Sequence, residues 1–466
     1  MRFGNMHSRK LFKCLLTLVL SLNLTQERGA AQKVSDSAVT IGPHQSLAKQ
    51  HIIICVDGVG TSTINKLRDE GHFKMFGPPS QLITTFPSLT NQAISTVLRP
   101  AGAKPAHGYE DNYFDVGANK MRGGVLDRLR GDRFVRGTFR DLFDYHPSAI
   151  KSGLGYAAPP LSTYLESLSD LIRLRQKAKD NREPVFFAYT GATDSLAHLG
   201  GERFVRRFLK DLDSSLKSII KDSKDPVVVT IFSDHGNHFR KYRRVKLKSP
   251  LKRAGFRIDN KIKDKRSVVI PQFGLIGAAV LFTHEANEQR LANITAAIDG
   301  VDFAAFAREE VVYLVSSDGE ATIEKRELDS CYSAVKGDPL QLLPVVEALA
   351  IQTKSGDRCF SDTVWFEATR DTSRPDAVRR IYEGVTNGVA NQANVIVNFK
   401  DGYYSGSSLL DVFAILQATH GNLGREQSFG FVMSTEKKLP AYIRAEDLWA
   451  AIGSPVLRRA VPPSSP

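Results

Sequence analysis

Short apolar segments alternate with amphipathic ones through the first half of this 466-residue chain. The apolar segments, predicted as strands, are His51–Val59, Gln81–Phe86, Pro184–Tyr189 and Pro226–Ser233. The amphipathic segments, predicted as helices, are Thr61–Gly71, Asn91–Leu98, Leu161–Asp180 and Glu202–Lys221. Strands that are each followed by a loop and a helix form a mostly parallel sheet. The sequence therefore predicts an α/β fold, with helices on both faces of a mostly parallel central sheet.

The character of the sequence changes twice along the chain. Residues 48–236 are predicted to form the first part of a core. Residues 237–400 lack the regular strand–helix alternation and are predicted to be an inserted, cap-like subdomain. Residues 401–456 are predicted to complete the core, with a helix at Ser408–Thr419 and a strand at Ser428–Met433.

Basic residues outnumber acidic ones, with 63 Lys and Arg against 50 Asp and Glu, which gives a formal charge of +13. They are spread along the chain and mixed with acids, so we expect a solvated, mildly basic surface and no specific nucleic-acid binding. Two basic segments, Arg240–Arg244 and Lys261–Arg266, are predicted either to steer an anionic substrate or to form a solvated face. No apolar stretch of about 18 residues occurs, which excludes a polytopic membrane protein.

The first 31 residues have the order of regions that is typical of a secretory signal. Four basic residues precede the apolar run Cys14–Leu24, and small residues follow up to Ala31. The apolar run is too short for a membrane span, so cleavage after Ala31 would leave no transmembrane anchor. We therefore predict that residues 1–31 are a signal peptide and that the protein is exported, to the periplasm or the extracellular space.

Three cysteines would remain after this cleavage. Cys55 lies in an apolar segment and is predicted to be a buried strand residue. Cys331 and Cys359 are free to pair in an oxidising compartment, although the sequence alone does not decide whether they do. Because the count is odd, one thiol stays free in either case.

Three aspartates and three histidines follow predicted strand or helix ends. They are Asp57, Asp194, His198, Asp234, His235 and His420. Ligands gather at the carboxyl ends of strands in open α/β sheets, so we expect these side chains to converge. Taken singly, each has an ordinary alternative, such as a turn or a helix-surface pair. Together they predict a site for two divalent metal ions, with zinc favoured over manganese or iron.

A hydroxyl group is predicted to lie at the start of the helix after the second strand. Thr90 opens this helix, where the backbone field favours anionic groups, and it is a candidate nucleophile. The alternative is that Thr90 is an ordinary helix cap. Asn112 is a candidate donor to a phosphoryl oxygen, and its alternative is an ordinary polar loop.

In its ordered motifs the chain resembles the nucleotide pyrophosphatase/phosphodiesterase branch of the alkaline phosphatase superfamily. The motifs are Asp57-Gly58, Phe86-Pro87-Ser88-Leu89-Thr90, His107-Gly108 with Asn112, Asp194 with His198, Asp234-His235-Gly236, and His420-Gly421. The resemblance covers residues 50–235 and 405–435.

The resemblance implies an alkaline-phosphatase-like fold and a role for each motif. One metal ion is held by Asp194, His198 and His420. The other is held by Asp57, Asp234 and His235, with Thr90 bridging towards it as the nucleophile. Asn112 takes the place of the phosphate-oxygen donor.

Two departures from the family pattern leave details open. Ser88 stands where the family usually has threonine after the proline, so Ser88 is a weaker rival to Thr90. The Phe-Pro-Asn segment that many members have after the nucleophile is missing, which leaves the substrate open. The sulfatase branch is disfavoured because Thr90–Ile94 contains neither the proline nor the arginine that its nucleophile motif needs.

These patterns predict a secreted, metal-dependent hydrolase of small anionic phosphoric esters, of phosphodiesterase or nucleotide pyrophosphatase type. A threonine nucleophile and two metal ions would carry the reaction. A phosphomonoesterase or a phosphotransferase would use the same residues. A non-catalytic envelope binding protein is the alternative from another class. Neither the natural substrate nor the oligomeric state follows from the sequence.

Overall fold

The computed structural model describes residues 50–123, 142–145, 160–271, 274–353, 358–406, 416–436 and 438–453. The predicted signal peptide, residues 1–31, lies outside these residues. The strands, in chain order, are β1 (Gln50–Val56), β2 (Ser80–Ile83), β3 (Tyr113–Asp115), β4 (Lys120–Arg122), β5 (Val185–Thr190), β6 (Val227–Phe232), β7 (His238–Phe239), β8 (Arg243–Arg244), β9 (Arg257–Asp259), β10 (Ser267–Val269), β11 (Ala278–Thr283), β12 (Val301–Arg308), β13 (Val311–Ser316), β14 (Gly319–Arg326), β15 (Asp329–Lys336), β16 (Cys359–Ser361), β17 (Val395–Phe399), β18 (Tyr403–Tyr404), β19 (Ala418–Thr419), β20 (Phe429–Ser434) and β21 (Tyr442–Arg444).

Helices occur between these strands throughout the described part of the chain. They are α1 (Thr61–Asp69), α2 (Thr90–Val97), α3 (Pro160–Asp180), α4 (Ala192–Asp222), α5 (Lys248–Arg253), α6 (Glu288–Ala296), α7 (Leu343–Thr353), α8 (Asp362–Thr369), α9 (Ala377–Thr386), α10 (Arg425–Ser428) and α11 (Leu448–Ile452). Among the described residues, no helix combines the length and the apolar character that crossing a membrane requires.

Six strands form the central sheet, in the spatial order β21-β2-β20-β6-β1-β5. β1 pairs in parallel with both β5 and β6, and β2 pairs in parallel with β21. Only β20 runs against its neighbours β2 and β6, so five of the six strands point the same way. The predicted α/β class with a mostly parallel central sheet is therefore confirmed.

Alternate side chains of β1 enter hydrophobic clusters on opposite faces of the sheet. Ile52 and Ile54 pack with residues of α1, α3 and α4. Ile53 and Cys55 pack with residues of α2 and α11. Both faces of the sheet are therefore covered by helices, which explains the apolar run Ile52–Val56 in β1, with its three consecutive isoleucines.

A second sheet has nine strands, in the order β16-β15-β14-β13-β12-β17-β11-β10-β9. All of its strands come from the region that the sequence predicts to be an insertion. Its hydrophobic core is shared with residues from the first part of the chain, among them Phe86, Leu89 and Tyr109. The second sheet thus packs directly behind the segment that leads into α2.

Two local predictions differ from the structure. Helix α4 begins at Ala192, ten residues before the predicted start at Glu202, and bends at Gly201, which has a φ of 70°. The helix continues across this position with a kink, since glycine tolerates positive φ. The end of the helix predicted at Ser408–Thr419 is instead the strand β19, and residues 407–415 lie outside the described part.

A disulfide joins Cys331 to Cys359 across the paired strands β15 and β16. Cys55 is buried in β1 and is not part of a disulfide. The bridge closes a loop with a sequence separation of 28. On the chain-entropy account, a loop of this length stabilises the fold by about 3.6 kcal/mol.

Replacing both Cys331 and Cys359 with alanine should lower the free energy of unfolding by about 3–4 kcal/mol, because the unfolded chain regains the entropy of the open loop. Urea unfolding followed by circular dichroism measures this change. Reductant should destabilise the wild type by a similar amount and leave the double variant unaffected. A wild type whose stability is indifferent to reductant would contradict the prediction.

Candidate metal centre

The topology brings three parallel strand ends to one edge of the central sheet. β1 lies between β5 and β6, and its last residue is followed directly by Asp57. Asp234 and His235 come just after β6. β5 leads into α4, whose first two turns carry Asp194 and His198. The convergence expected from strand order is therefore observed for these five residues.

One group of candidate ligands consists of Asp194, His198 and His420, whose ligand atoms lie within 4.8 Å of one another. The Nε2 atom of His198 is 3.3 Å from Asp194 Oδ2, and that of His420 is 3.7 Å from Asp194 Oδ1. On the other side of each ring, His198 Nδ1 bonds to the carbonyl of Ala418 and His420 Nδ1 to that of Ser88, at 2.7 and 2.8 Å. A carbonyl partner requires a proton on Nδ1, so both Nε2 atoms are left as acceptors for a metal ion.

A second group consists of Asp57, Asp234 and His235, again within 4.8 Å. His235 Nε2 lies 3.4 Å from Asp57 Oδ1 and 3.5 Å from Asp234 Oδ2. Its Nδ1 bonds to the carbonyl of Gly236 at 3.0 Å, which again leaves Nε2 as the ligand atom. The two groups adjoin, because the rings of His235 and His420 stack with centroids 3.9 Å apart.

Thr90 lies against the second group. Its Oγ1 is 3.3 Å from Asp57 Oδ1 and 3.2 Å from His235 Nε2. Thr90 is the first residue of α2, which follows Leu89 in an extended conformation and has no side-chain cap. The start of this helix is buried and its first N–H groups point out of the helix end, where an anion is favoured.

Burial dominates the electrostatics of the second group. Together with Asp234 and Asp194 it raises the pKa of Asp57 well above the usual value. Burial also raises the pKa of Asp234 to about 7. With the help of His420, burial lowers the pKa of His235 well below its usual value, so this imidazole is neutral. The group therefore holds two crowded carboxylates and a neutral ring, an arrangement that a cation would stabilise.

In the first group, the interaction between Asp194 and the two histidines outweighs burial in setting the pKa of the carboxyl group. Burial alone would raise the pKa of Asp194, but His198 and His420 lower it below its usual value. Burial lowers the pKa of His420. Burial opposes protonation of His198 as well, yet the Asp194 carboxylate raises its pKa. Asp194 is thus ionised beside two imidazoles, as a metal ligand should be.

One orphaned atom tests whether a metal fits. Asp234 is fully buried, and its Oδ1 accepts a hydrogen bond from the N–H of Gly58 at 3.1 Å. Its Oδ2 is buried and has no hydrogen-bond partner among the described residues, although His235 Nε2 faces it. A buried carboxylate oxygen without a donor is costly, and a divalent ion at this place would satisfy it. The donor set of carboxylate and imidazole fits zinc.

Two residues that the sequence did not reveal orient the carboxylates. The Tyr189 hydroxyl, at the end of β5, donates a hydrogen bond to Asp57 Oδ2. The Asn237 amide donates to Asp194 Oδ1 at 3.2 Å and to the carbonyl of Gly58 at 2.8 Å. Asn237 follows His235 by two positions, and this proximity was the only sequence signal for it. Tyr189 carried none beyond its place at a strand end.

Replacing Tyr189 with phenylalanine should weaken metal binding at the second group about 10-fold or more, since the carboxylate of Asp57 loses the donor that orients it. Competition with a chromophoric chelator measures the affinity. Tyr145→Phe is the matched control, because that hydroxyl bonds to the carbonyl of Asp170 and touches neither group. Equal affinities in wild type and Tyr189→Phe would contradict the prediction.

The other predicted residues are placed as follows. Ser88, the rival nucleophile, is fully buried, and its hydroxyl donates to the backbone carbonyl of Asn422 at 3.0 Å rather than to a candidate ligand. The loop that carries Asn112 is tied to α2, because Asn91 Nδ2 donates to Asp111 Oδ1 at 3.3 Å. After burial, Asp234 and Asp194, the Glu110 carboxylate in this loop also contributes to the raised pKa of Asp57.

Part of the positive charge of the two basic segments is paired with acidic side chains. Arg240 pairs with Asp401 at 2.5 Å, and Lys263 pairs with Asp259 at 3.3 Å. The backbone of Arg240 bonds to Gln417, whose own N–H bonds to His198, so this segment runs beside the first group. Steering of an anionic substrate by these residues stays a prediction.

The sequence matches no protein-family model and no curated protein. Among solved structures, human ectonucleotide pyrophosphatase/phosphodiesterase 5 matches with 12% identity and a TM-score of 0.48, over 87% of this chain and 94% of that one. Phosphonoacetate hydrolase from Sinorhizobium meliloti, in complex with phosphonoacetate, matches with 13% identity and a TM-score of 0.49, over 87% and 95%.

The fold and the two ligand groups define a mixed α/β protein with a buried pair of adjoining carboxylate–imidazole sites. Similarity at this distance does not assign an activity, which must come from the residues of the site itself.

Proposed function

We propose that the chain is an exported, metal-dependent hydrolase of phosphoric esters with Thr90 as its nucleophile. The observation that carries this proposal is the position of the Thr90 hydroxyl, within 3.3 Å of Asp57 and His235 and at an uncapped helix start. A hydroxyl so placed is next to a metal site and to backbone donors at once. Attack on a phosphoryl group needs both a metal ion beside the attacking oxygen and donors that hold the phosphoryl oxygens.

The residues present fit two divalent ions, preferably zinc. Asp194, His198 and His420 would hold one ion, and Asp57, Asp234 and His235 the other. When bound, the two ions would favour the ionised form of the hydroxyl and neutralise charge on the phosphoryl and leaving oxygens.

The chain's own residues account for binding and orientation. Thr90 Oγ1 attacks phosphorus and displaces the leaving oxygen, so that Thr90 becomes a phosphothreonine. Water then hydrolyses this phosphothreonine. The first N–H groups of α2 bind a phosphoryl oxygen of the ester. Asn112, in the loop tied to α2 through Asp111, donates to another of these oxygens.

Charge around the site favours diesters over monoesters. In the described part of the chain, Asp57, Asp194 and Asp234 form ion pairs only with histidines and with no lysine or arginine. A monoester carries an extra negative charge, which such a cation would have to balance. Phosphodiesterase or nucleotide pyrophosphatase activity is therefore proposed first. A phosphomonoesterase or a phosphotransferase is the alternative with the same residues.

The proposal is tested by measuring the metal content of the purified protein together with its hydrolysis of bis-p-nitrophenyl phosphate and p-nitrophenyl phosphate. Two metal ions per chain, faster diester hydrolysis and loss of activity in chelator are expected. Full metal occupancy with no turnover of either ester would instead favour a non-catalytic binding protein.

Export is proposed from the signal-like residues 1–31 and is consistent with the disulfide. A mature protein recovered outside the cytoplasm with Gln32 as its first residue is the expected result of amino-terminal sequencing. An intact amino terminus on cytoplasmic protein would overturn it.

A further inference from the structure

Ser88 connects the nucleophile segment to the segment that carries His420. Its carbonyl accepts the hydrogen bond from His420 Nδ1 at 2.8 Å, and its N–H donates to the carbonyl of Gly421 at 3.2 Å. Its hydroxyl donates to the carbonyl of Asn422 at 3.0 Å. Two residues further along the chain, α2 begins with Thr90. Any shift of Ser88 would therefore move both the nucleophile and one candidate metal ligand.

The guanidinium of Arg380 supports this segment from behind. Arg380 lies on α9 and is only 5% exposed. Its Nη2 donates to the carbonyl of Thr85 at 3.0 Å and to Ser88 Oγ at 3.3 Å. Its Nη1 donates to the carbonyl of Pro375 at 2.9 Å and to Ser428 Oγ at 2.8 Å. One buried side chain thus joins α9, the segment before α2 and the end of α10.

Two further observations concern the contact between α9 and this segment: a glycine at the contact, and the charge of Arg380. Gly384, one turn after Arg380, faces the carbonyl of Phe86, and a Cβ atom there would lie 1.9 Å from that oxygen. The glycine therefore allows the helix to approach the backbone of the segment. Burial lowers the pKa of Arg380 only to about 10, so the buried group is charged at neutral pH. A buried charge is costly unless it is hydrogen-bonded, and both terminal nitrogens of Arg380 make such bonds, whereas its Nε makes none among the described residues. The four bonds of the terminal nitrogens therefore hold the segment.

We propose that Arg380 is a positioning residue: its guanidinium holds Thr85–Ser88 in place and thereby sets both the Thr90 hydroxyl and the ring of His420. The kinetic consequence rests on the proposed function. The positioning itself does not rest on the proposed function, because the contacts of Arg380 exist without substrate. Arg380 comes from the region predicted to be an insertion, so that region contributes directly to the geometry of the site.

Arg380→Met tests the proposal, because methionine fills much of the space but donates no hydrogen bond. Arg379→Met is the matched control: it removes the neighbouring charge from the same helix, and Arg379 pairs with Asp362 and Glu446 instead. Arg380→Lys keeps the charge but lacks the planar fork that reaches Thr85 and Ser88 together. Arg380→Lys also replaces Arg380→Met as the test variant if the methionine variant does not fold.

Three readouts are measured on the purified full-length chain. Amide hydrogen exchange in a peptide covering residues 84–92 should be about 10-fold faster in Arg380→Met. The zinc affinity of the first ligand group should fall about 10-fold, because His420 loses its fixed orientation. Turnover of bis-p-nitrophenyl phosphate should fall about 100-fold in kcat with little change in KM, as expected for a misplaced nucleophile. All three values for Arg380→Lys should lie between those of Arg380→Met and the wild type. Those for Arg379→Met should match the wild type.

Unchanged exchange and zinc affinity in Arg380→Met would overturn the proposal, and so would the same losses in Arg379→Met. A wild type that turns over neither ester would refute the proposed function instead. In that case hydrogen exchange and zinc affinity still decide whether Arg380 positions the segment.

Discussion

Replacing Thr90 with alanine should lower kcat by at least about 10⁴-fold while the protein retains both metal ions. The attacking oxygen is lost, but Asp57, Asp234 and His235 still form the second ligand group. Steady-state hydrolysis of bis-p-nitrophenyl phosphate and metal analysis of the same sample measure the two effects separately. Thr90→Ser should keep partial activity because the attacking atom survives. It loses the β-methyl group that restricts the side-chain rotamer.

Thr96→Ala is the matched control for this experiment. It removes the same hydroxyl and methyl groups from the same helix, at a residue that is buried like Thr90 and outside both ligand groups. Its kcat should stay within a few-fold of the wild type. A Thr90→Ala variant that is nearly as active as the wild type, with an inactive Ser88→Ala, would place the nucleophile two residues earlier.

Replacing Asp194 or His420 with alanine should remove one of the two metal ions and lower turnover by several orders of magnitude. Asp194 is the carboxylate closest to both imidazoles of the first group, at 3.3 and 3.7 Å, so its loss leaves them without their negative partner. Elemental analysis should give one ion per chain in either variant and two in the wild type.

Asp213→Asn is the control for general effects of removing a buried carboxylate. Asp213 is 1% exposed and lies 3.3 Å from His72, an Asp–His pair outside both ligand groups. Its metal content and turnover should equal those of the wild type. A wild-type protein that remains fully active in excess strong chelator would refute the two-metal assignment.

The core of the fold was predictable because its signals are local. The apolar run of β1 and the helices on either side of it follow from residue periodicity, and the shared direction of most central strands follows from the helical connections between them. The structure of residues 237–400, predicted to be an insertion, was less predictable. Its nine-stranded sheet depends on mostly antiparallel pairings whose register is set across strands, and its sequence shows no repeat of strand and helix.

The grouping of the candidate ligands was largely predictable for the same reason. Asp57 directly follows β1, Asp234 and His235 come shortly after β6, and neighbouring parallel strands bring their carboxyl ends together. His420 is different, because a lone histidine before a glycine carries little information. Its place in the first group depends on the pairing of β19 with β7, which only the folded chain shows.

The sequence by itself determined which residue types stand at the ends of the central strands, and hence that carboxylates and imidazoles meet at one edge of the sheet. Only the tertiary structure decided how these groups are held. Tyr189 reaches Asp57 across 132 residues, and Arg380 reaches Ser88 across 292. Such contacts are made by side chains from separate elements that burial forces to satisfy their hydrogen bonds on each other. No spacing or periodicity in the chain records which partners they find.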